Sequence, residues 1–151
     1  MRKGWVVAGV TLGALCALRV AGAEHGPKLP PGPIHDRHEL MEGIGKNAKI
    51  IGEALKSGTT TPVAGAAEKI QASAGKITKL FPPGSTDPNS RAKPEIWSNW
   101  PKFEADALQL QNAAGALATT AHKGGDVGAA AKTMFGACKS CHDDFRTPDK
   151  D

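Results

Sequence analysis

The chain has 151 residues, 23% of them charged, a formal net charge of +4 and no tyrosine. That length suits one domain with a real core, and the few aromatics beside 18 glycines and many alanines argue for closely packed helices rather than a β-sandwich. The basic excess is no argument for nucleic acid: without Arg2, Lys3 and Arg19, which lie in a removable leader, 16 basic residues face 15 acidic ones, a net charge of +1, and no basic cluster is interleaved with aromatics.

That leader is residues 1–23. Arg2 and Lys3 open it, Trp5 to Leu18 is an apolar run broken only by small residues and Thr11, and Ala21-Gly22-Ala23 is an A-x-A cleavage site. The pattern is that of a secretory signal peptide, too short and wrongly flanked for a membrane span, with a retained N-terminal anchor as the alternative. Leu15 precedes Cys16 where a lipoprotein would carry a small residue, so lipidation is not expected. The exported chain keeps two cysteines, Cys138 and Cys141, and has no disulfide framework. Residues 24–35 form a Pro/Gly-rich leader, and the working domain is expected over residues 36–147.

Four helical segments follow. The first is expected from about Asp36, as N-cap with Glu39 as its capping-box partner, to Lys56. Its inward stripe is Arg37, Met41, Ile44, Ala48, Ile51 and Leu55, a 4, 3, 4, 3, 4 spacing. Gly43, Gly45 and Gly52 weaken its intrinsic helicity; Gly45, one turn after Met41, would let something flat approach the backbone. The second helix opens with Thr61 as N-cap and Pro62 in its first turn, carries the stripe Val63, Ala67, Ile70, Ala74, Ile77 and Phe81, and stops at Pro82-Pro83. Residues 82–98 are a long connection in which Pro94-Glu95-Ile96-Trp97 makes a short helical turn and Trp97 anchors the loop. The third helix starts near Asn99 or Trp100, carries Phe103, Ala107, Leu110, Ala114, Leu117 and Ala121 inward, and ends at Gly124-Gly125. Asp126 caps the fourth, whose stripe is Val127, Ala131, Met134, Cys138, Cys141 and Phe145. Short connections within each helix pair make neighbours antiparallel, so the expected fold is all-α, an up-down-up-down four-helix bundle.

Cys138-Lys139-Ser140-Cys141-His142 is C-x-x-C-H, the attachment signature of a c-type haem. Two thiols three residues apart share a helix face and can form thioethers with the two porphyrin vinyls, and the adjacent imidazole can ligate the iron. A zinc site would need about four ligands, and no second cysteine pair exists. A thioredoxin-type dithiol belongs beside a βαβ pattern, which is absent here. Because the cysteines belong to the fourth helix's inward stripe, the haem is expected inside the bundle.

Around this motif stand Arg37-x-x-x-Met41, Leu80-Phe81-Pro82, Pro94-Glu95-Ile96-Trp97 and the closing Asp143-Asp144-Phe145-Arg146. With a C-terminal haem motif in a four-helix chain, they make the sequence similar, from about Arg37 to Arg146, to the cytochrome c′ family, the class II c-type cytochromes. The resemblance implies one covalent haem c in a periplasmic protein. High-spin members leave the iron five-coordinate beneath an apolar side chain of the first helix and bind nitric oxide or carbon monoxide. Low-spin members use a methionine four residues after the helix arginine as sixth ligand and carry electrons. Met41 holds that position, although some high-spin members carry an unligated methionine there.

Met134 shares a helix with His142 and is poorly placed to reach across the iron, whereas Met41 is on the facing stripe. A thioether favours Fe(II) and raises the potential. Leu40-Met41-Glu42 and Leu80-Phe81-Pro82 look more like the low-spin branch. The expectation is therefore a periplasmic one-electron carrier, six-coordinate through His142 and Met41, and not an enzyme. The alternative is a five-coordinate protein binding nitric oxide or carbon monoxide, with Met41 as distal packing. His38 could compete only by rotating inward beside Arg37; otherwise it is an exposed helix-start residue. His25, His35 and His122 read as surface residues. Arg37 carries a charge on an inward stripe, costly unless paired, and the haem propionates are its expected partners, as the family also implies. Arg146 either neutralises the haem edge or is a solvated cation at a helix C-terminus. The expected partners are periplasmic redox proteins, with the chain a monomer or a homodimer.

Overall fold

A computed structural model describes residue 29 and residues 31–148; the signal peptide and most of the Pro/Gly-rich leader lie outside them. The helices are α1 (Pro33–Lys56), α2 (Val63–Ala74), α3 (Glu95–Ser98), α4 (Trp100–Lys123) and α5 (Val127–Phe145), with one 3₁₀ turn at Thr78–Leu80. The four long elements form the expected up-down-up-down bundle. Their stripes supply the core: Ile44 and Ile51 from α1, Val63, Ala67, Ile70 and Ala74 from α2, Phe103, Ala107, Leu110, Ala114 and Leu117 from α4, and Val127, Ala131, Met134 and Phe145 from α5 are all buried. Among the described residues, no helix is long and apolar enough to cross a membrane.

Three expectations about helix ends are corrected. Asp36 does not cap α1: the helix starts three residues earlier, with Gly32 as N-cap and Pro33 in its first turn. A proline there loses no hydrogen bond, because the first helical N–H groups have no intrahelical acceptor anyway. Asp36 instead lies inside the first turn, where its charge opposes the helix dipole's positive end. The second helix does not run to Phe81. Its α-helical part ends at Ala74, and the chain tightens into successive three-residue turns, Lys76 N–H to Ser73 O at 2.9 Å, Ile77 N–H to Ala74 O at 3.1 Å and Leu80 N–H to Ile77 O at 3.0 Å. The tighter winding still delivers Ile77 and Phe81 into the core. Thr61 makes no cap hydrogen bond; Pro62 occupies the N-cap position.

The other ends fall where the local chemistry puts them. Gly124 ends α4 in the left-handed conformation at φ 70°, which glycine adopts without a Cβ penalty. Asp126 Oδ1 accepts from Ala129 N–H at 2.9 Å at the start of α5. Asp126→Ala should cost about 1 kcal/mol of stability, readable as a lowered urea midpoint with an unchanged m-value. Trp97 anchors the long connection, its Nε1–H reaching Phe81 O at 3.2 Å and Pro82 O at 3.1 Å.

Three seams of the bundle are closed: α1 packs on α2, α2 on α4, and α4 on α5. The fourth differs, because α1 and α5 barely meet. At the end of the bundle where α1 begins and α5 finishes, an aromatic cluster fills the space between the helices. The Phe103 ring lies 4.9 Å from Phe81, 5.4 Å from Phe145 and 5.5 Å from Trp100, centroid to centroid.

Candidate haem site

The weakly closed seam is where the C-x-x-C-H motif lies. Cys138, Cys141 and His142 occupy the last two turns of α5, within about 11 Å of its end at 1.5 Å rise per residue. Met41 is eight residues into α1, about 12 Å from its start. Since the start of α1 and the finish of α5 share one end of the bundle, the thioether and the motif stand at the same level on opposite sides of the seam. Cys138, Cys141 and Met41 are all half-buried and border the core. Met134 is fully buried in the core on the helix of His142.

The cysteines are free thiols. Burial pushes the Cys138 thiol above its ordinary pKa, and burial followed by the Asp106 carboxylate pushes Cys141 up to about 12. Solvent reaches His142, yet desolvation of the imidazole, then the charges of Arg146 and Arg91, lower its pKa against an opposing contribution from Asp143. The effect is to keep the imidazole neutral near pH 7, the form that offers a lone pair to a metal.

Arg37 is 4% exposed. Its Nη1–H donates to Ser85 Oγ at 2.9 Å and its Nη2–H to Ser90 Oγ at 2.8 Å, and its guanidinium lies 4.8 Å from the Phe81 ring centroid. Desolvation lowers its pKa and the charge of Asp87 partly restores it. The connecting loop therefore helps to pay for the buried charge, through hydroxyls that no stripe reading would single out. A guanidinium has five N–H donors, so further acceptors remain possible.

Asp106 is the second buried charge, 7% exposed. Lys102 Nζ lies 2.9 Å from Asp106 Oδ2 and 2.6 Å from Asp144 Oδ2, which ties α4 to the haem-motif helix beside Cys141. The i, i+4 spacing of Lys102 and Asp106 is visible in the sequence, but the inward turn of the carboxylate is not. His38 faces Glu42, with Nε2 3.3 Å from Oε1. His35 pairs with Asp36 and the exposed His122 with Glu68; His25 lies outside the described residues. A Cβ at Gly43, Gly45 or Gly52 would meet nothing within 4 Å, so close protein packing does not explain these glycines. A surface groove of about 500 Å³ along Ala105, Leu108 and Thr133 shares no residue with the haem motif.

The residues present fit a covalently held haem. Two thiols three apart border the seam where α1 and α5 barely meet, a neutral imidazole follows them, and a soft thioether stands on α1 toward the same end of the bundle.

Comparison with known proteins agrees. The family model for cytochrome c′ matches residues 32–146. A cytochrome c′ of Pararhodospirillum photometricum is 30% identical over 122 residues, covering 78% of this chain and 98% of that protein. A cytochrome c-556 of Agrobacterium fabrum is 30% identical over 150 residues, covering 97% of each chain. Among solved structures, a cytochrome c′ described as having an unusual ligand-controlled dimer dissociation superposes with a TM-score of 0.71 at 30% identity, over 80% of this chain and all of that one.

Proposed function

Since the chain belongs to the cytochrome c′ family, with its single covalent haem c, we propose that it is a periplasmic, non-enzymatic haemoprotein whose iron keeps an accessible distal face for nitric oxide or carbon monoxide. The single observation that carries the haem assignment is the Cys138-x-x-Cys141-His142 motif bordering the seam of the bundle where neighbouring helices barely meet. The five-coordinate reading draws its support from relatives that bear the name cytochrome c′, one of them with a dimer controlled by a ligand. It displaces the expectation of Met41 ligation as the first reading.

Bound in the seam, haem supplies a redox-active iron with affinity for small diatomic ligands. The chain's own residues do the rest. Cys138 and Cys141 anchor the porphyrin, His142 offers its neutral imidazole from the proximal side, and Met41 lines the distal side. Arg37 retains donors for a propionate beyond those given to Ser85 and Ser90.

The second reading, an electron carrier with Met41 as sixth ligand, is favoured by one observation, the level of Met41 opposite the haem motif. Titrating the ferrous protein and its Met41→Leu variant with carbon monoxide separates the two. The proposal expects wild type to bind the gas and the variant to differ in affinity by less than about tenfold, or 1.4 kcal/mol. An inert wild type beside a reactive variant would establish Met41 as the ligand instead.

A further inference from the structure

Helices α1 and α5 carry the two faces of the candidate site and barely touch. What spans them at the site's end of the bundle is the connection between the 3₁₀ turn and α3. Its first grip is on α1: Ser85 and Ser90 accept the two Arg37 hydrogen bonds, and Ser90 Oγ also accepts from Ala92 N–H at 3.3 Å. Its second grip is on the end of α5. Ala92 forms an isolated antiparallel bridge with Arg146. Lys93 N–H donates to Phe145 O at 3.0 Å and Thr147 N–H to Arg91 O at 2.9 Å. Lys93 Nζ donates to Asp143 O at 2.9 Å and Asp144 O at 3.1 Å. These are last-turn carbonyls without intrahelical donors, and a cation there also suits the helix dipole.

We infer that residues 90–93 form a strap that sets the separation of α1 from α5 across the haem seam, with Ser90 and Lys93 as positioning residues. A continuous polar chain runs from Arg37, one turn before Met41, through Ser90 and Ala92 to Arg146, one turn after His142. One end fixes the helix that lines the distal side; the other fixes the helix that supplies the proximal ligand. Ser90 and Lys93 bond to Arg37, Ala92 and the α5 end rather than to Met41, Cys138, Cys141 or His142, so their influence is on geometry. Loosening either grip lets α1 move off the distal face. The inference rests on the haem reading of the same seam.

The test uses the full holoprotein and its Ser90→Ala, Lys93→Met and double variants, with Ser90→Thr and Lys93→Arg as conservative rescues. Lys49→Met is the control, since it removes an exposed α1 cation paired with Glu53 without crossing the seam. The readout is carbon monoxide reactivity of the ferrous protein by stopped flow. Each single disruptive variant should speed association by about threefold or more; if Met41 closes the site in wild type, a reactive fraction should appear instead. The double variant should fall short of the product of the singles, because both residues lie in one linkage. The rescues and Lys49→Met should stay near wild type. Attached haem with unchanged reactivity in both disruptive variants, even with lowered melting temperatures, would reduce the strap to a structural role and overturn the inference. A wild type without covalent haem would overturn the haem reading itself.

Discussion

A Cys138→Ser/Cys141→Ser double variant is expected to leave the export and attachment machinery with no covalent haem. The attachment rests on two thioethers, and these are the only cysteines beyond Cys16, which lies in the signal segment. His142 alone offers one coordinate bond, which denaturation or acid breaks, whereas a thioether survives both. Haem staining after denaturing electrophoresis checks this: the wild-type band stains and the double variant does not. Each single variant retains one thioether at most. Stain persisting in the double variant would mean that the group is held elsewhere.

Phe103→Ala should produce the largest loss of stability of any single core substitution considered. Phe103 is 2% exposed and its ring meets Phe81, Phe145 and Trp100, so it is the common neighbour of the 3₁₀ end, the haem helix and the start of α4. Truncating such a ring costs about 3–5 kcal/mol, the lost transfer energy plus the cavity left behind. Leu108 is 55% exposed, so Leu108→Ala should stay within about 0.5 kcal/mol. Thermal unfolding of the two holoprotein variants gives the comparison. Similar losses in both would contradict the placement of Phe103 at the centre of the aromatic cluster.

The stripes were legible because the period of an α-helix forces residues three and four apart onto one face. Every member of the α2 stripe from Val63 to Phe81 is buried, even though the helix between them tightens into 3₁₀ turns. The ends were less legible. Asp36 followed by Glu39 satisfies a capping pattern, but Pro33 costs nothing in a first turn, so the helix simply begins sooner. The haem motif could be read from spacing alone, since two thiols and an imidazole within five residues serve few other purposes. Arg37 could be seen as an inward charge in need of partners. Its hydroxyl partners Ser85 and Ser90 could not, because they lie 48 and 53 residues away in a loop without periodicity. Asp106 was invisible for a related reason: its burial depends on Lys102 reaching both it and Asp144 across two helices. Long-range polar pairs leave no periodic trace, and here they hold the ends of the seam.

The most direct measurement is the optical spectrum of the reduced, purified protein before and after adding carbon monoxide. An accessible distal face predicts a broad high-spin spectrum that shifts when the gas is added. Sharp low-spin bands that ignore the gas would contradict it and put Met41 on the iron opposite His142.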